Sequence, residues 1–244
     1  MHVVLALGAF SRGPFQTSLM REAGLFALDF SEQELGQRAM PVWLFDAEPV
    51  RIPPPRRETP EEWADRWLTL EPDGTSTPAG KKRNGLATAS GHLFQGRRQL
   101  APVQRAVAGF CAAADSRPTV ALVFLTDGPL DEEQLVEAMR ETAGQPVLWV
   151  FLTTARSQDA EPALGVLDTL AQDAHAPAAF TVIRVGGWSA WARLRRARGI
   201  RRAVSRWLRG LPPAVVEPDG YEDPEDDADP EDGADPEAVR VTGR

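Results

Sequence analysis

The chain predicts an α/β protein: a doubly wound, mostly parallel sheet with one antiparallel edge strand, covered on both faces by helices as a three-layer sandwich. Three observations predict it. Val120 to Leu125 is apolar without alternation, the pattern of a strand buried on both faces of a parallel sheet. Apolar runs of this kind alternate along the chain with segments of helical periodicity, which implies right-handed βαβ crossovers. At 244 residues with 43% apolar content the chain can bury a full core, so one α/β domain and a tail are expected.

The elements follow in order. Val3 to Leu7 is the first strand, and a loop from Gly8 to Pro14 leads to a helix from Thr17 to Phe30, where Leu19, Met20, Ala23, Phe26, Ala27 and Phe30 recur at helical spacing. Pro41 to Phe45 is the second strand. Asp46-Ala-Glu-Pro turns into Val50 to Ile52, an antiparallel partner, and three prolines end regular structure there. Residues 53 to 97 carry little pattern beyond a short helix at Glu61 to Leu70 with Trp63 and Trp67, followed by a Gly/Lys/Ser-rich loop. A helix from Ala101 to Ala114 precedes the strand Thr119 to Thr126. A helix from Asp131 to Ala143, the strand Val147 to Leu152, a helix over Ala160 to Asp173, the strand Ala178 to Val185 and a last helix from Trp188 to Leu208 complete the domain.

The domain is expected over residues 1–210 and an acidic tail over 211–244. Glu217 to Glu237 holds 12 acids and no base; without the tail, 23 acids face 25 bases over residues 1–216, a net charge of +2 against −8 for the whole chain. The tail repeats Asp-Pro-Glu and is almost without apolar side chains, so it is expected to be disordered. The single cysteine, Cys111, lies on the apolar pattern of a helix and reads as a buried hydrophobe; there is no disulfide framework. Met1 runs straight into an apolar strand with no basic leader and no apolar stretch of spanning length, so a cytoplasmic protein is expected.

Asp127 ends its strand at the carboxyl edge of the predicted sheet, the edge where open α/β sheets bind ligands. It is either a site residue or a cap for the next turn. His2, His92 and His175 stand far apart without companions at ligand spacing, so neither a zinc site nor a catalytic triad is legible. No Gly-Lys-Ser/Thr follows the segment Gly85 to Gly96, which sets aside a phosphate loop. Asp46, Glu48 and Asp131 are strand-end or first-turn acids that read as solvated or dipole-complementing. Nothing points to an enzyme, and no cofactor is expected.

Several motifs in combination carry a resemblance. Pro41-Val42-Trp43-Leu44-Phe45 forms the second strand, Leu100-Ala101-Pro102-Val103 opens a helix, and Pro146-Val147-Leu148-Trp149-Val150-Phe151 forms a later strand. Thr126-Asp127-Gly128 ends the central strand, and Trp191 with Ala197-Arg198-Gly199-Ile200 marks the last helix. With these the chain resembles von Willebrand factor type A domains, more narrowly the stand-alone bacterial branch associated with tellurium-resistance and chemical-stress proteins, over residues 1 to 208. The resemblance implies a metal-ion-dependent adhesion site, in which a hard divalent cation keeps several waters and leaves one position for a partner's carboxylate. Its ligand positions fall on Leu7, Ala9, Ser11, Arg98 and Asp127. Only Ser11 and Asp127 keep ligand chemistry, so the site reads as degenerate and metal-free. Arg98 either approaches Asp127 and fills the ion's place or points to solvent while Asp127 caps a helix.

The last helix with Arg209 carries eight arginines and no acid. Trp191, Leu194, Ile200, Val204, Trp207 and Leu208 are expected to pack on the sheet, leaving Arg193, Arg195, Arg196, Arg198, Arg201 and Arg202 as an outer surface for anions or a partner. That surface is a solvated face, a contact for a protein partner or the chain's own tail, or a polyanion site; the near-neutral body argues against a dedicated nucleic-acid binder. The reading is a non-enzymatic protein-interaction module, in the bacterial stress setting that the resemblance implies. The alternatives are a nucleotide-binding or hydrolytic protein using Asp127 and, third, nucleic-acid binding by the arginine helix. No membrane association is expected.

Overall fold

A computed structural model of the chain describes residues 1–8, 14–36, 40–45, 49–55, 57–68, 100–113, 117–125, 132–153, 165, 179–184, 189–210 and 214–216. The elements are β1 (His2–Gly8), α1 (Pro14–Leu35), β2 (Val42–Phe45), β3 (Pro49–Ile52), α2 (Pro60–Trp67), α3 (Leu100–Ala113), β4 (Thr119–Leu125), α4 (Glu132–Glu141), β5 (Val147–Thr153), β6 (Phe180–Arg184), α5 (Ala190–Leu208) and β7 (Ala214–Val216). Among the described residues seven strands form one sheet in the order β3-β2-β1-β4-β5-β6-β7. All neighbours are parallel except β2 and β3, which pair antiparallel with Val42 opposite Ile52. The doubly wound α/β class with one antiparallel edge strand is thus what the chain adopts.

Every residue of β4 and β5 is buried, because each strand alternates its side chains between two separate cores. One face packs Val3, Leu5, Leu7, Leu122 and Val150 under α1, α2 and α5. The other packs Val4, Ala6, Val123, Trp149 and Phe151 under α3 and α4. Aromatic edges lock helices to strands: Phe26 of α1 meets Phe124 of β4 at 6.3 Å and 77°, and Trp43 of β2 meets Phe110 of α3 at 5.5 Å and 68°. Arg51 on the edge strand β3 lays its guanidinium over Trp43 and Phe110, at 5.4 and 5.1 Å from the ring centroids. This basic side chain on the outermost strand also discourages edge-to-edge pairing.

Local chemistry accounts for the helix ends. α1 runs past the expected end at Phe30 because no breaker intervenes before Gly36, whose φ of +64° closes the helix while its N–H donates to Glu32 O at 2.9 Å. α2 begins with a capping box: Thr59 Oγ1 accepts from Glu62 N at 3.2 Å, Glu62 Oε2 accepts from Thr59 N at 3.0 Å, and Pro60 opens the first turn. It docks on α1 at Gly24, where a Cβ would lie 2.2 Å from Leu68 Cδ1 and 3.4 Å from Trp63. Trp63 is fully buried there, and its indole N–H donates to Pro53 O at 2.7 Å.

Two expectations are corrected. Ala214–Val216 adds a seventh strand, parallel to β6, inside the segment assigned to the tail; three apolar residues after two prolines are too short to show periodicity, and only the open edge of β6 selects them. The packing face of α5 differs in part: Ile200 is buried and Val204 and Trp207 pack against the core as expected, but the rest of the face is made by other residues. Ala192, Arg196, Gly199, Ile200 and Ala203 are buried, whereas Trp191 and Leu194 are each 39% exposed and Leu208 is 62% exposed. Gly199 marks the closest approach, since a Cβ there would sit 3.0 Å from Ile183 Cδ1 of β6, and the inward stripe of α5 is built mostly of small residues with Arg196 and Ile200 reaching down beside them. The expected helix over Ala160 to Asp173 lies outside the described residues apart from Gly165, and residues 217–244 of the tail lie outside them entirely.

Trp63 generates a stability prediction. Trp63→Ala is expected to cost about 3–5 kcal/mol through lost burial and the cavity left behind. Trp63→Phe is expected to cost less, about 1–3 kcal/mol, with the Pro53 carbonyl left without its donor. Urea unfolding of the two variants checks the order.

Candidate functional site

The sheet has one topological switch point. From β1 the chain winds outward to β2 on one side, and β4 continues from β1 on the other, so the connections that follow these two paired strands leave their carboxyl ends in opposite directions, the arrangement that makes a crevice in open α/β sheets. A cavity of about 20 Å³ lies there, walled by Leu7 and Gly8 of β1, Leu19, Met20 and Ala23 of α1, Phe124 and Leu125 of β4, Leu152 and Thr153 of β5, and Arg196 of α5. That is room for one water molecule.

Leu7 is the one implied metal-site position inside the described residues. It is buried in the wall of this cavity, an apolar side chain where the resemblance places an acid. Ala9, Ser11, Arg98 and Asp127 lie outside the described residues, and with them the expected approach of Arg98 to Asp127. Asp46, Glu48, His92, His175 and Asp131 lie outside them as well. Among the described residues no group of three His, Cys, Asp or Glu side chains is placed to hold a metal ion.

Six of the seven arginines of α5 divide into three sets, and Arg196 is the correction. It was expected on the outer surface, yet it is 1% exposed and reaches the switch-point cavity from the inner face of the helix. Burial, with the charge of Arg193 adding to it, pushes its pKa down to about 10. Sequence reasoning missed it because an arginine is ordinarily assigned to the solvent side. The available signal was the run of small residues Ala192, Gly199 and Ala203, which shares its stripe at helical spacing.

A second set faces α1. Arg193 pairs with Glu22 and Arg201 with Glu34, so these two cations tie α5 to α1. The α1 side is tied onward to α2 by Arg21 and Asp65 at 2.7 Å. The third set lies on the other flank. Arg195, Arg198 and Arg202 follow Trp191 at helical spacing of four, three and four residues, and the Arg195 and Arg198 guanidinium groups lie 4.8 and 5.8 Å from the Trp191 ring centroid. Such cation–π contacts hold the cations against an exposed aromatic face.

The remaining candidates are structural. Cys111 is buried, and burial raises its thiol pKa against a hydrogen bond with Thr119 that lowers it; a protonated, covered thiol is a poor nucleophile. The pKa of His2 is lowered by burial and then by the positive N-terminus and Arg117. No described helix is long and apolar enough to cross a membrane.

Comparison with known proteins gives structural likenesses only. No family model matches the chain, and no curated protein matches it. A von Willebrand factor type A protein from Catenulispora acidiphila superposes with a TM-score of 0.49 at 15% identity, covering 81% of this chain and 41% of that one. The VWA domain of SpRpn10 superposes with a TM-score of 0.42 at 8% identity, covering 75% of this chain and 88% of that one. The chain therefore spans less than half the length of the first of these. The α/β assignment rests on this chain's own strand order and pairing.

The division of the arginines has a measurable consequence. Arg196→Ala removes a long side chain buried among Leu7, Met20 and Leu152 and is expected to cost about 2–4 kcal/mol of stability. Arg202→Ala, on the exposed flank, is expected to stay within about 0.5 kcal/mol of the parent. Chemical denaturation of both variants measures the contrast, and equal costs would contradict this placement of the helix.

Proposed function

We propose that this chain is a non-enzymatic protein-interaction module that docks acidic polypeptide segments on the outer flank of α5. The observation that carries the reading is the stripe Trp191, Arg195, Arg198 and Arg202: an exposed aromatic ringed by cations on a helix without a single acid. Aromatic and arginine side chains are the groups that dominate protein interfaces. Arg193 and Arg201 are already engaged by Glu22 and Glu34 and serve the fold. A partner rich in carboxylates is favoured over nucleic acid because the body carries a net charge of only +2 over residues 1–216.

The adhesion-type metal site is degenerate in this reading. Leu7 offers no oxygen, and a divalent cation left with the hydroxyl of Ser11 and the carboxylate of Asp127 lacks the charge that offsets its dehydration. The alternative of a nucleotide-binding or hydrolytic protein draws on the same carboxyl edge, but the cavity there among the described residues is lined mostly by apolar side chains, with Arg196 its one charged group. The setting in bacterial chemical stress or tellurium resistance rests on the motifs Pro41 to Phe45, Pro146 to Phe151 and Ala197 to Ile200. The neighbouring genes in the source genome bear on it directly.

Two measurements test the proposal. Calorimetric titration with magnesium, manganese and calcium is expected to show no one-to-one site; a stoichiometric site abolished by Asp127→Ala would restore the adhesion-site mechanism. Poly-glutamate is expected to bind the full chain at about 0.1 M salt, and the combined substitutions Arg195→Glu, Arg198→Glu and Arg202→Glu are expected to weaken it on the order of tenfold or more. Tighter binding of random duplex DNA with a steep salt dependence would move the reading to nucleic acid.

A further inference from the structure

We infer that the chain's own acidic tail, Glu217–Glu237, docks on the Trp191–Arg195–Arg198–Arg202 flank of α5 and competes there with an external acidic partner. The inference rests on the docking surface proposed above and names its resident occupant.

The topology brings the two together. β7 ends at Val216, paired in parallel with β6 and opposite Ile183, so the tail leaves the sheet at its carboxyl edge. α5 starts just after β6 ends at Arg184 and runs back across the sheet before β7, which puts its first turns, with Trp191 and Arg195, at that same edge. α5 also has a direction across the sheet. It packs on β5 and β6, and its flank with Arg193 and Arg201 is pinned to α1, which lies toward β1. At about 100° per residue, Trp191, Arg198 and Arg202 fall on the far side of the outer face from Arg193, toward β7. The tail therefore begins beside the basic flank rather than across the molecule from it.

Length and charge fit as well. Glu217–Glu237 has 21 residues with 12 acids and no base, and a coil of that length spans about 25 Å. The 19 residues of α5 extend about 28 Å. A segment so tethered is present at an effective concentration of about a millimolar, so a contact too weak to detect between separate molecules is well populated within one chain. Because its acids are spread over three Asp-Pro-Glu repeats, no single register is needed. The contact is electrostatic, and it weakens as the Debye length falls to about 3 Å at 1 M salt.

The test keeps the whole chain. In one variant the 12 acids of Glu217–Glu237 are replaced by asparagine and glutamine, preserving length. At about 0.1 M salt this variant is expected to bind poly-glutamate on the order of tenfold more tightly than the parent, with the advantage lost at 1 M. Amide NMR signals of Trp191, Arg195, Arg198 and Arg202 are expected to differ between the two proteins at low salt and to coincide at high salt. Equal affinities with superposed α5 signals would overturn the tail contact and leave the docking surface standing. Tighter binding without any shift on α5 would also overturn it, since the tail would then act through overall charge alone. If neither protein binds poly-glutamate, the docking surface itself falls, and the tail contact with it.

Discussion

Strands β1, β4 and β5 bury side chains on both faces, so their backbone groups are satisfied by neighbouring strands and both surfaces have to be covered by helices. The rest of the molecule follows from that constraint. Parallel neighbours need crossovers, and the crossovers supply α1, α2 and α5 to one face and α3 and α4 to the other. The switch point between β1 and β4 is then the place in this sheet where the connections after neighbouring central strands run in opposite directions. In this chain that place is lined by Leu7, Met20, Phe124 and Leu152, apolar side chains that complete the packing more than they present chemistry.

The height of α5 above the sheet decides what its arginines do. Gly199 against Ile183, with Ala192 and Ala203 beside it, lets the helix settle onto β5 and β6. At that height Arg196 is carried into the core, Arg193 and Arg201 meet the acids of α1, and Trp191 and Leu194 are left on the outside. A charge in the interior is tolerated only with compensation nearby, and removing it is therefore a question of packing as much as of charge. The surface proposed for docking is the opposite flank, Arg195, Arg198 and Arg202 with Trp191 at its head. An arrangement of this kind favours specificity by charge and on-rate over raw affinity, as suits a reversible interaction module.

The acidic tail and the near-neutral body give the chain an internal division of charge. Taken whole, a net charge of −8 would suggest repulsion from any acidic partner. Taken by parts, it describes a basic helix and a segment of opposite sign. Under the proposed docking, affinity for an outside partner is the difference between two contacts, and salt acts on both.

How much was legible in the sequence depended on whether a pattern was local. The unbroken run Val120 to Leu125, the alternation of strands and helices, the antiparallel edge strand and the helix with Trp63 are local, because burial on two faces and helical periodicity write themselves into consecutive residues. Cys111 as a buried hydrophobe was legible for the same reason. The adhesion-site reading came from motif positions, of which Leu7 alone falls where the structure can place it. What sequence could not supply were relations between distant segments. The pairing of Val215 with Val182 exists only because β6 leaves an open edge. The burial of Arg196 and the exposure of Trp191 follow from how α5 is seated on the sheet, with Gly199 close to Ile183. The sequence by itself determined the fold class, the succession of elements and the separation of acidic tail from basic helix; the tertiary structure alone decided which arginine is core, which ties α5 to α1 and which lies along the opposite flank beside Trp191, because that choice depends on how a helix is seated on a sheet, which side chains on both set together.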